Sequence, residues 1–147
     1  MLQPMTHIST AKFFTKQLAH VAGYSSPKRF TTDVLRYDLP IHPCGPKSFR
    51  DNLYDLPGFL KAAVLRQLRV VGLPVARIKA LLALLDDDAA NEAAARFISG
   101  QIQPLHCVVL LGSQPTAKWV QDGPASLSGA NSALLIDVTP DLRALLN

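Results

Sequence analysis

Apolar residues recur along the chain at two periods, and each period predicts a kind of element. Residues 15–23 place Leu18, Ala19 and Ala22 on one side, the spacing of a short helix. Thr15 is the expected cap and Gly23 the left-handed stop. A second helix start follows at once: Ser25-Ser26-Pro27 offers a capping hydroxyl and a proline whose φ is preset for a first turn. That helix runs from Pro27 to about Tyr37, and Pro40 is expected to end it. Residues 40–54, PIHPCGPKSFRDNLY, hold three prolines and a glycine, so extended pieces around a turn at Cys44-Gly45-Pro46 replace the helix. Asp55 then caps a helix to about Val71, with Leu60, Val64, Leu68 and Val71 in one stripe.

The strongest helical run, RQLRVVGLPVARIKALLALL, is broken at Gly72-Leu73-Pro74. Glycine stops one helix and proline opens the next, residues 74–85, which aligns Val75, Ile78, Leu81, Leu82 and Leu85. So short a link makes a bent pair with Leu73 in the joint. Asp86-Asp87-Asp88 is a charged break that caps residues 89–99, whose apolar stripe of Ala90, Ala94, Phe97 and Ile98 is thin. His106–Leu111 and Ala133–Val138 read as strands, separated by a Gly/Ser/Pro-rich piece that holds Trp119. Asp141–Leu146 reads as a last helical turn.

Charge divides the chain. Residues 1–86 carry twelve Lys and Arg against five Asp, +7, whereas residues 87–147 carry three against six acids, −3. A polyanion is therefore the first candidate partner of the basic part. At 48% hydrophobic residues the chain supports a packed core. No apolar run approaches the ~20 residues of a membrane span, and MLQPMTHISTAKFF does not read as a signal peptide. Two distant cysteines, Cys44 and Cys107, suit a reducing cytoplasm better than a disulfide framework.

With the order helix, tight turn, helix, Pro/Gly-rich ribbon and bent helix pair in place, the chain resembles MerR-type regulators. LAHVAG at 18–23 looks like their first helix, Ser25-Ser26-Pro27 like the start of their second, and NLYD at 52–55 like the end of their wing. LKAAVLRQLRVVGLPVARIKALLALL at 60–85 is similar to the family's helix pair broken at a glycine, with Pro74 where a serine is usual. Val34-Leu35-Arg36-Tyr37-Asp38 comes later than the comparable family segment. The resemblance implies a tail at 1–12 and a winged helix-turn-helix DNA-binding domain at 13–86. The expected fold class is α+β: that mainly helical domain, then a small α/β-like part at 87–147.

Helical geometry at ~100° per residue offers an independent check on residues 27–37. Phe30, Val34 and Tyr37 form a core stripe, and Arg29, Thr32 and Arg36 gather opposite them with Lys28 alongside. Arginine can bond guanine edges bidentately, and threonine offers a hydroxyl or a methyl. Lys47 and Arg50 in the ribbon suit phosphates, and Lys16 and His20 on the first helix, with His42, are further candidates. Arg66, Arg69 and Lys79 read as solvated positions on the back of the domain.

Catalytic chemistry does not stand out. The histidines 7, 20, 42 and 106 lie in unrelated segments, the glycines form no phosphate loop, and Cys107 reads as a small buried hydrophobe. Cys44 reads as an exposed, oxidisable thiol in a turn. No cofactor, metal or enzymatic activity is expected. The function expected is a prokaryotic, cytoplasmic, nucleoid-associated transcriptional regulator that binds double-stranded DNA as a dimer. The alternatives are an excisionase-like or architectural DNA-bending factor, and an adaptor that docks a protein partner through its C-terminal part. Near-continuous apolar strands in 87–147, with Phe97, Ile98 and Trp119, are expected to form most of the homodimer interface, the alternative being packing onto the helix pair.

Overall fold

The computed structural model describes residues 11–44, 51–100, 104–112, 114–120 and 132–145. In chain order these residues form β1 (Phe13–Phe14), α1 (Thr15–Val21), α2 (Pro27–Arg36), β2 (Leu53–Tyr54), α3 (Leu56–Val71), α4 (Val75–Ala83), α5 (Asp87–Ile98), β3 (His106–Leu111), β4 (Thr116–Val120), β5 (Ser132–Asp137) and α6 (Thr139–Leu145). The architecture is α+β and helix-rich, with two small antiparallel sheets.

Local chemistry sets most helix ends. Ser26 caps α2 by accepting from the Arg29 N–H at 3.3 Å, with Pro27 first in the helix. Asp55 caps α3 through Gly58 N at 3.0 Å, and Asp86 caps α5 through Ala89 N at 2.9 Å, so α5 starts at Asp87. Thr15 is not a cap. The helix starts one residue earlier, and the Phe14 N–H donates to Gln17 Oε1 at 2.8 Å. That leaves the Thr15 hydroxyl to donate to Asp51 Oδ1 at 2.9 Å, across to the start of the returning ribbon leg. Pro40 does not stop α2 either. Asp38 takes φ +52, and the Asp38 and Leu39 N–H groups turn back to the carbonyls of Leu35 and Val34. Aspartate tolerates this left-handed geometry better than most residues do. Gly72 takes φ +90 between α3 and α4, as its position at the break requires. Pro74 is the flanking residue of α4 rather than its first, and its carbonyl accepts from the Arg77 and Ile78 N–H groups.

One cluster of buried side chains runs from Phe13 to Leu142. Leu18, Ala19 and Ala22 of α1, Phe30 of α2, and Leu60, Val64 and Leu68 of α3 fill its N-terminal part. Ile78, Leu81, Leu82 and Leu85 join it, whereas Val71 and Val75 are exposed. They flank the Gly72 turn, where the helix pair has already passed the end of the core it covers. Leu73 packs half-buried in the joint.

The second sheet has the order β4-β3-β5. Cys107 lies opposite Trp119 and Ile136, and Val109 opposite Ala117 and Leu134. These inner residues join the same cluster as the α3 side chains, with Ala90, Ala93 and Ala94 of α5. The inner face of the sheet is therefore covered within the chain, onto the helix pair. The opposite face is covered in part, with Val108 and Val120 buried and Leu135 left 41% exposed. β4 is a strand where the sequence suggested irregular structure. Thr116, Trp119 and Val120 favour strands, but the Gly, Ser and Pro residues around them masked that signal, and pairing with β3 fixes the strand. α6 begins two residues before its expected start, because the Thr139 N–H finds Asp137 Oδ1 at 2.8 Å and its buried hydroxyl bonds the Leu105 backbone.

Candidate nucleic-acid interface

α2 divides into two faces. Phe30 is fully buried, edge-on to Tyr24 and Tyr54, and Val34 is buried beside it. Lys28, Arg29, Thr32 and Arg36 are all exposed on the far side. The expected core stripe holds for Phe30 and Val34 but not for Tyr37, which is 37% exposed. The reason is the stop at Arg36: Tyr37 already leaves the helical path, and the Arg36 guanidinium lies 5.5 Å from its ring centre.

Among the described residues none of Lys28, Arg29 and Arg36 has an acidic partner. Basic residues behind the helix are committed differently. Lys61 pairs with Asp87 at 3.1 Å and Lys79 with Asp38 at 3.2 Å. Arg69 sits 3.9 Å over the Tyr24 ring and donates to the Ala22 carbonyl at 3.1 Å. Arg69 and Lys79 are exposed, as expected for solvated positions, but each also has a partner within the fold. Tyr24 extends the link by donating its hydroxyl to Asp33 Oδ2 at 2.9 Å, so α3, the α1–α2 turn and α2 are held in one chain of contacts. Burial, aided by the Asp33 bond and opposed by Arg69, pushes the Tyr24 hydroxyl up to about 12.

A ribbon stands beside α2. Its outgoing leg is anchored by buried Leu39 and Ile41 and its returning leg by Tyr54. Cys44 N donates to Leu53 O at 2.7 Å, which brings the two legs together. β2 on the returning leg pairs in turn with β1, Phe13 opposite Tyr54 and Phe14 opposite Leu53. Residues 45–50 lie outside the described residues, and with them the turn at Gly45-Pro46 and the candidates Lys47 and Arg50. Cys44 itself is half-buried.

The other candidates separate. Exposed His42 lines a cleft of about 140 Å³ with Thr31 and Leu35, so it belongs to the α2–ribbon surface. Lys16 and His20 do not. They line a different cavity with α3 and α6 residues, and no α2 residue reaches it. The sequence reading missed Leu35, which is 82% exposed on the cationic side of α2. Its place there was legible: about 140° round from Phe30 it falls between Thr31 and Lys28 on the helical projection. An exposed leucine among polar neighbours can meet a thymine methyl or a partner protein.

Among the described residues, no cluster of His, Cys, Asp or Glu is placed to hold a metal ion, and no helix is long and apolar enough to cross a membrane. Compared with known proteins, the chain matches no family model and no curated relative.

Proposed function

We propose that this chain is a sequence-specific double-stranded DNA-binding regulator of transcription with a MerR-like winged helix-turn-helix plan. In this reading α1 and α2 are the helix-turn-helix, α2 enters the major groove, and the ribbon of residues 40–54 is the wing on the backbone. One observation carries it: Lys28, Arg29, Thr32 and Arg36 share the exposed face of a short, capped helix and have no acidic partner among the described residues, while cations behind them are tied into the fold. Exposed cations without an ion-pair partner can meet phosphates and base edges. The helix that bears them is fixed by Phe30 and by the Asp33–Tyr24–Arg69 chain, so little ordering remains for binding to supply. A single short helix reads few bases, so the regulator acts as a dimer on two half-sites in a bacterial cytoplasm.

Selection of bound sequences from a random duplex pool tests the reading. It should return an inverted repeat, and binding should weaken steeply with salt. Arg29→Ala and Arg36→Ala should each lose roughly 1–3 kcal/mol at the selected site and relax the sequence preference. Unenriched pools, or variants that bind the site like the wild type, would remove α2 from this role. Footprints at recombination junctions instead of promoters would mark an architectural factor.

A further inference from the structure

A second site lies away from α2, where α1, α3 and α6 meet. It is an open cleft of about 430 Å³, within the usual size range of small-molecule sites. Its floor is apolar, with Phe59 from α3 and Leu145 from α6. Its polar lining is Lys16, Gln17 and His20 from α1, Arg66 from α3 and Asp141 from α6. Of the three basic residues on α3, Lys61 and Arg69 are held by partners, and Arg66 has no side-chain hydrogen bond or ion pair among the described residues. Lys16 and His20 have none either. Burial raises the Asp141 carboxyl above its usual range, and the nearby Arg66 charge opposes that rise without closing to an ion pair.

We infer that this cleft binds a small organic carboxylate with an apolar body. Lys16, Arg66 and His20, all exposed, face one carboxylate there, so the donors of the lining outnumber its acidic acceptors. A neutral apolar ligand would strip water from Lys16 and Arg66 and give nothing back. An inorganic anion would satisfy the donors and leave the apolar floor unused. A carboxylate on an apolar chain meets both demands, its charge on Arg66 and Lys16 and its body on Phe59 and Leu145. Bound there, it joins the N-terminal helices to the helix that closes the C-terminal sheet. The inference is independent of DNA reading by α2.

Calorimetric titration of the full chain with octanoate, octanol and inorganic phosphate tests this. Octanoate should bind saturably, and octanol and phosphate at least about tenfold more weakly. Arg66→Gln should weaken octanoate about tenfold or more, and Ala144→Trp, at an exposed position lining the cleft, should abolish its binding. Thermal unfolding identifies any variant that fails to fold, and the comparison of octanoate with octanol decides the matter on the wild type alone. Octanol binding as well as octanoate, folded variants binding octanoate like the wild type, or no saturable binding below about 10 mM would each overturn the assignment.

Discussion

Arg69→Met should destabilise the protein while leaving the proposed DNA-reading face untouched. Arg69 makes two contacts, over the Tyr24 ring at 3.9 Å and to the Ala22 carbonyl at 3.1 Å. A hydrogen bond from a charged donor contributes about 1.5–3 kcal/mol when well shielded, and a cation–π contact about 0.5–1 kcal/mol near solvent. Arg69 is an exposed residue, so water takes over part of both contacts when they are lost. Methionine keeps most of the apolar stem. The net loss should be about 1.5–2.5 kcal/mol. At about 2–4 °C per kcal/mol for a chain of this size, that lowers Tm by roughly 3–10 °C. Urea unfolding followed by circular dichroism at neutral pH measures it. Arg36→Ala is the control: its only described contact is the 5.5 Å approach to Tyr37, and its stability should change by no more than about 0.5 kcal/mol. Below the transition, Arg69→Met should bind the selected duplex more weakly, because α2 is less well ordered, but with its sequence preference kept, whereas Arg36→Ala should lose that preference. A loss under about 0.5 kcal/mol for Arg69→Met would show that the guanidinium does not hold the joint between α3 and the α1–α2 turn.

In the ribbon, Lys47→Ala and Arg50→Ala should weaken binding to all duplexes alike and flatten the salt slope by about one unit per lost phosphate contact; a changed sequence preference with an unaltered slope would refute that role. Alkaline pH should erode stability. Burial raises the Cys107 thiol from 9.0 to about 12 and is the largest cause of the rise at Tyr24 from 10.0 to about 12. The unfolded chain releases these protons first, so this stability is complete below about pH 9 and lost as pH rises toward 12; Tyr24→Phe should remove its share of the slope, and a flat wild-type profile across that window would contradict both assignments. Leu135→Glu, on the outer face of β5, should dissociate the proposed dimer in light scattering, and a full-length wild-type monomer at micromolar concentration would end the dimer proposal.

Local sequence determined a good deal by itself. Ser26-Pro27, Asp55-Leu56-Pro57, Gly72 and Asp86 mark helix boundaries because caps, prolines and left-handed glycines act within a few residues of the chain. β3 runs from His106 to Leu111 as its apolar run suggests. The two faces of α2 were legible too, since helical geometry fixes which residues share a side. Longer-range facts were decided only in three dimensions. Thr15 gives up capping because Asp51, distant in sequence, offers its hydroxyl a partner. β4 exists because β3 pairs with it. Val71 and Val75 belong to the apolar stripes of their helices, yet they are exposed because the bent pair outruns its core at Gly72. Lys16 parts from the α2 cations, and Arg66 joins it, because α1 packs against α3 and both line a cleft with α6. Spacing along a chain reports which face a side chain occupies; which other element meets that face depends on how the whole chain packs.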